Sequence, residues 1–198
     1  MRGTHKPIRL EVLVGRTWTS MVMQEDNIQF SSFFRPSEVI CQTQETNRDK
    51  VLMEMLRLLA RHRNVTDVDG AFKAVLEREK DMPTIVAPGM AMPHARIDGI
   101  RDIIVSVATS RQGIVYDPRR PDERVKLLVL TLAPKASPGA YLQAIACVAG
   151  ICRDPSTAQI VASLPTADQV WSFFDKGGVQ PQSPKARDDM EGDYATGA

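Results

Sequence analysis

Cysteine, long apolar runs and charge of one sign are all scarce in this chain. Its three cysteines, Cys41, Cys147 and Cys152, form no Cys-x-x-Cys pair. An odd number of thiols in a chain long enough to bury its own core argues against a disulfide framework. Cys147 and Cys152 also fall on different faces of a helix, so buried thiols are expected rather than a metal or redox pair. Lys and Arg total 25 against 24 for Asp and Glu, a net charge of +1. That balance offers neither the basic stripe of a nucleic-acid binder nor a polybasic membrane patch. The longest apolar runs, "LLVLTLA" and "AIACVAGIC", fall well short of the ~20 residues that span a bilayer. The opening "MRGTHKPIRLEVLVGRTW" is broken by Glu11 and Arg16 and makes a poor signal peptide. The expectation is a cytoplasmic protein with no membrane insertion, no nucleic-acid partner and no cofactor.

What is present is a patterned α/β chain. Val51, Leu52, Met55, Leu58, Leu59 and His62 recur at helical spacing after a capping Thr46 or Asn47. Asp67 can cap a second helix whose apolar stripe is Val68, Ala71, Phe72, Val75 and Leu76, ending before Pro83. Strand-like pieces follow at 84–87, 103–109 and 125–133, the last apolar on both of its alternating faces and therefore covered on both. "GIVYD" at 113–117 is expected to add an edge strand. Ser137-Pro138 then opens a helix with Tyr141, Leu142, Ile145, Val148 and Cys152 on one face. Asp154-Pro155 repeats the cap-proline signal, and Thr166 with Gln169 suits a capping box for a last helix. From Lys176 onward little can be buried, and a disordered tail is expected over 176–198. Helices, then strands, then helices point to a layered α/β domain of about 150 residues.

One of only three histidines, His94, sits in "PTIVAPGMAMPHARIDG", a stretch poor in other polar side chains. A neutral imidazole is a good nucleophile near neutral pH. To accept a phosphoryl group it needs a fixed tautomer, solvent on one side, and cations or N–H dipoles for the new charge. Gly89 and Pro93 suit a rigid, exposed position, and an extended backbone brings Arg96 to the face of His94. The same alternation aligns Met90 and Met92 with His94, a donor set that would suit Cu(I). Methionines so spaced are more often core fillers, and a lone histidine is more often structural. Arg78 flanks the second helix's stripe and Glu79 falls near its centre. Buried charges need partners, so a structural Arg–Glu pair competes with a role beside His94.

These residues combine into a resemblance. "LEREKDMPTIVAPGMAMPHARID" (76–98), with Arg-Glu-Lys closing a helix and then Gly-x-x-x-Pro-His, resembles the phospho-accepting stretch of type 2 enzyme IIA domains. These are the fructose, mannitol and nitrogen-regulatory domains of the bacterial phosphoenolpyruvate-dependent sugar phosphotransferase system. "NIQFSSFFRPSEVICQTQETNRDKVLMEML" upstream and "GIVYDPRRPDERVKLLVLTLAPKASPGAYLQAIACVAGIC" and "DPSTAQIVASLPTADQVWSFF" downstream are similar to the rest of such a domain, in order. The resemblance implies an α/β layered sandwich with a mixed central sheet flanked by helices. It would occupy 27–175, between an N-terminal extension (1–26) and the tail. The first 22 residues have no counterpart in such domains; the expectation is a loose extension, or a natural start at Met21 or Met23.

The resemblance further implies that His94 accepts phosphate from the histidine-containing phosphocarrier protein, with Arg78 as the cation beside it. The phosphate would then pass to a permease or set the binding of a regulatory target. Where the family commonly has a second active-site histidine, after Ser-Pro-Gly, this chain has Tyr141. A phenol can donate to a phosphate at a helix N-terminus but cannot be cationic. Ala95-Arg96 also stands after the histidine where sugar-transporting members of the family usually have Gly and a smaller residue or lysine. Arg96 and Tyr141 are therefore expected as phosphate-stabilising groups, with a regulatory output or, alternatively, a non-catalytic anion- or partner-binding module of the same fold.

Overall fold

Two apolar layers meet on opposite faces of one long strand in the computed structural model, which describes residues 8–14, 17–23, 30–81, 83–136, 138–151 and 154–177. The expected N-terminal extension contains two strands, β1 (Ile8–Val14) and β2 (Thr17–Met23), paired antiparallel. These strands pair with each other, and Met21 and Met23 lie within β2. The expected tail falls, from residue 178 on, outside the described residues.

The main sheet has six strands in the order β3 (Val39–Ile40), β7 (Ile104–Val115), β8 (Arg124–Pro134), β5 (Met90–Ala91) and β4 (Ile85–Ala87). The sixth strand, β6 (His94–Ile97), continues the β5 edge along β8. β7 runs antiparallel to β8, whereas β5 and β6 run parallel to it. The sheet is mixed, as the family resemblance implies.

β8 is buried on both faces, as its apolar pattern demands. Leu128, Leu130 and Leu132 meet the layer of α1 (Arg48–Arg63) and α2 (Val68–Asp81), with Val51, Leu52, Met55 and Val75. Leu127 and Val129 meet the opposite layer of α3 (Pro138–Ile151), α4 (Thr157–Ser163) and α5 (Ala167–Asp175), with Val148, Val161 and Phe174. Both early helices start where the caps direct. The Asn47 side chain accepts from Lys50 N–H, and Asp67 accepts from Gly70 N–H at 2.8 Å. Thr166 likewise accepts from Gln169 N–H and opens α5.

Several expectations change. "GIVYD" is not a separate edge strand, because Ile114 and Val115 belong to β7 and pair with Val125 and Arg124. Gly113 makes this continuity possible. Its φ is +81°, and a Cβ there would come within 2.5 Å of the Arg124 Cβ. Leu142, expected on the inner face of α3, is 55% exposed. That helix is apolar nearly all round, so its periodicity does not select a face. Asp154 forms the turn before α4, accepting from Ser156 N–H at 2.8 Å, and does not cap the helix directly. Cys41 and Cys147 are thiols only partly buried, while Cys152 lies outside the described residues.

Candidate functional site

β6 sets the site. Pro93 has no N–H to give the sheet, but its carbonyl accepts from Thr131 N–H at 3.0 Å, so β6 enters β8 in fixed register, His94 opposite Thr131. Alternation then separates the side chains. Ala95 and Ile97 enter the α1–α2 core, leaving His94 and Arg96 on the α3 side. Met90 and Met92 pack with Val105, Val107, Leu127 and Val129. Both are core fillers.

His94 is less open than its sequence context implies, at 7% exposed. Its ring nonetheless lines a cleft of about 540 Å³ together with Arg78, Arg96, Lys135, Tyr141 and Leu142. No carboxylate lines that cleft among the described residues. The four residues singled out from sequence, His94, Arg78, Arg96 and Tyr141, are therefore brought together from α2, β6 and the first turn of α3. The Tyr141 ring is 5.7 Å from the imidazole, and the Arg96 guanidinium is 6.0 Å from the Tyr141 ring centre.

The tautomer of His94 is fixed by geometry. Nδ1 lies 2.8 Å from the Met92 carbonyl oxygen, which can only accept, so Nδ1 carries the proton and Nε2 keeps its lone pair. Burial lowers the imidazole pKa from its ordinary 6.5, and the Arg78 charge lowers it further, against the Met92 carbonyl and Glu79, which raise it. The ring is thus neutral near pH 7. Burial raises the Tyr141 pKa while Arg78 and Arg96 lower it, with a net rise, so the phenol keeps its proton.

Beneath the ring runs a buried support that the sequence reading only half anticipated. Glu79 is 4% exposed and is held from the strand side. It accepts from Thr84 N–H at 3.2 Å and from the Thr84 hydroxyl. Tyr116 then donates to the Thr84 oxygen at 3.3 Å, since the threonine proton is committed to the carboxylate. Burial first, and Glu79 second, push the Tyr116 pKa far above 10. Thr84 in turn accepts Met92 N–H at 2.9 Å through its carbonyl. A chain of hydrogen bonds therefore runs from Glu79 through Thr84 and Met92 to Nδ1 of His94. Thr84, Tyr116 and Lys135 were missed from sequence because strands distant along the chain bring them here. A hydroxyl or phenol in an apolar stretch was the available signal.

Fold and site together define a layered α/β domain that presents a neutral imidazole between guanidinium groups at a strand end. The family model described as phosphoenolpyruvate-dependent sugar phosphotransferase system, EIIA 2, matches residues 32–177, and the chain belongs to that family. It is 39% identical over 79 residues to the fructose-specific EIIA component of Haloferax volcanii, covering 40% of this chain and 51% of that one. It is 25% identical over 140 residues to the 2-O-alpha-mannosyl-D-glycerate-specific EIIABC component of Escherichia coli, covering 70% of this chain but 21% of the relative. The chain thus spans about a fifth of one of these relatives and about half of the other. Among solved structures it resembles the nitrogen regulatory protein IIA-Ntr of Neisseria meningitidis, with a TM-score of 0.63 at 22% identity, covering 73% of this chain and 97% of that one. No helix of the described residues is long and apolar enough to cross a membrane.

Proposed function

We propose that this protein is a phosphohistidine carrier of regulatory type, accepting a phosphoryl group on Nε2 of His94 from the histidine-containing phosphocarrier protein. The observation that carries this reading is the Nδ1–Met92 hydrogen bond, which leaves Nε2 as the nucleophile on a ring that lines the arginine-flanked cleft. In the transfer the Nε2 lone pair attacks phosphorus while the donor's P–N bond breaks. His94 loses no proton, so its phosphorylated ring is cationic, with the Nδ1–H still held by the Met92 carbonyl. Arg78 and Arg96 take the phosphoryl charge, and Tyr141 donates a hydrogen bond. A partner of the permease or regulatory kind then takes the phosphate or reads its presence. A relative supports the partner class: the Escherichia coli mannitol enzyme IIA has been solved in complex with phosphorylated enzyme IIB. The working unit is residues 27–175, flanked by the 1–26 extension and the 176–198 tail, and acts in the cytoplasm, where such donors reside.

A second reading, an anion- or partner-binding module without phosphotransfer, is favoured by one observation: the aromatic ring beside the imidazole, 5.7 Å away, is the phenol of Tyr141 rather than a second imidazole. The two separate in one experiment. Incubation with phosphoenolpyruvate, enzyme I and the phosphocarrier protein should place acid-labile phosphate on wild type and none on His94→Ala. Unlabelled wild type, or equal labelling of the variant, rejects the carrier.

A further inference from the structure

Thr131 on β8 carries a hydroxyl that is fully buried and has no hydrogen-bond partner among the described residues. An orphaned buried hydroxyl is costly, and a valine of the same shape would avoid the cost. The register states what could satisfy it. Thr131 pairs with His94 on one side and with Val105 on the other. Along β8 its face continues as Val129 and Ala133. Of these four neighbours only His94 is polar, and its Nδ1 is already committed to the Met92 carbonyl. Within the sheet, the polar neighbour of this hydroxyl is thus the residue that on the carrier reading acquires a phosphoryl group.

We propose that Thr131 is a positioning residue for the phosphorylated form, its hydroxyl donating to an oxygen of the phosphoryl group on His94. This rests on the carrier reading above. In the unmodified form the hydroxyl makes no hydrogen bond among the described residues, whereas phosphorylated Nε2 carries three strong acceptors. The orphan burdens the resting form and is relieved in the modified one, so it biases the equilibrium toward holding phosphate. The bias is differential, which a packing role would not produce.

The test compares wild type with Thr131→Val and Thr131→Ser, each equilibrated with the phosphocarrier protein. Thr131→Val should raise the melting temperature of the unphosphorylated form by about 3 °C. It should also lower the phosphoryl-transfer equilibrium constant by about tenfold, the worth of one hydrogen bond to a charged acceptor. The 31P shift of the phosphohistidine should move, and Thr131→Ser should restore both readouts. In wild type itself, a slowly exchanging Thr131 hydroxyl proton coupled to 31P should emerge on phosphorylation, a readout that needs no variant. A phosphorylated wild type without that proton, or a Thr131→Val equilibrium and 31P shift equal to wild type, overturns the role of Thr131 and leaves the carrier standing. A wild type that takes no phosphate at all overturns both.

Discussion

Replacing Glu79 with glutamine tests whether the support beneath His94 governs the ring. Glu79 receives two hydrogen bonds from Thr84, one from N–H and one from the hydroxyl. A hydrogen bond to a charged acceptor is worth about 1.5–3 kcal/mol against about 0.5–1.5 for a neutral one, so neutralising this acceptor at both bonds costs about 2 kcal/mol. For a domain of this size that is a fall of about 6 °C in melting temperature. The larger consequence lies on the imidazole. Thr84 holds Met92 N–H at 2.9 Å, and the Met92 carbonyl holds Nδ1–H at 2.8 Å, so loosening Thr84 loosens the tautomer. The Glu79 charge also raises the His94 pKa, and its loss should lower that pKa further below 6.5. Long-range 1H–15N spectra across a pH titration read both effects at once. Wild type should show one neutral tautomer, protonated on Nδ1, and Glu79→Gln a mixture that protonates at lower pH. Unchanged melting together with an unchanged His94 titration would refute the relay.

Two further outcomes follow from named contacts. Because burial lowers the His94 pKa below 6.5, the unfolded chain binds a proton that the folded one refuses as pH falls below that value. Stability therefore drops on acidification through that window, by at most about 1.4 kcal/mol per pH unit, and the wild type minus His94→Gln difference should fall with it; a flat difference between about pH 5 and 7 counts against the depressed pKa. Gly113→Ala forces a Cβ into the Arg124 side chain at φ +81°, and should cost about 1–3 kcal/mol by chemical denaturation, a loss that vanishes if β7 is really two pieces.

Local patterning made much of this fold legible. The stripe from Val51 to Leu59 and the caps at Asn47, Asp67 and Thr166 are short-range signals, and each element formed where they lie. The two-faced apolar run at 125–133 likewise announced the central strand. Pairing order was not legible, since nothing local says that β6 joins β8 or that 113–117 continues β7. The strands β1 and β2 went unread although Ile8, Leu10 and Val12 alternate with Arg9 and Glu11. At the site, His94, Arg78, Arg96 and Tyr141 were named from the family resemblance far more than from spacing. Thr131 was hidden inside "LLVLTLA", where one hydroxyl in an apolar run was the sole cue. Its meaning depends on a register between strands separated by more than thirty residues.

On the carrier reading proposed above, the cleft's charge balance favours a readout over a relay. At rest the imidazole is neutral and faces Arg78 and Arg96, with Lys135 tied to Asp98 at 2.5 Å. On the carrier reading a phosphoryl group brings about −2 charges while the ring becomes cationic, a net change of about −1, which offsets about half the charge of the two guanidinium groups on that face. Beside them stands Leu142, an exposed apolar side chain at the cleft mouth. A partner docking over Leu142 would meet a strongly cationic surface in one state and a weakly cationic one in the other. A second imidazole could add a titrating charge near neutral pH. Tyr141, its pKa held above 10, contributes a fixed neutral donor instead. On the carrier reading the phosphorylated and resting faces then differ by about one negative charge, a stable difference that a binding partner could read without consuming it.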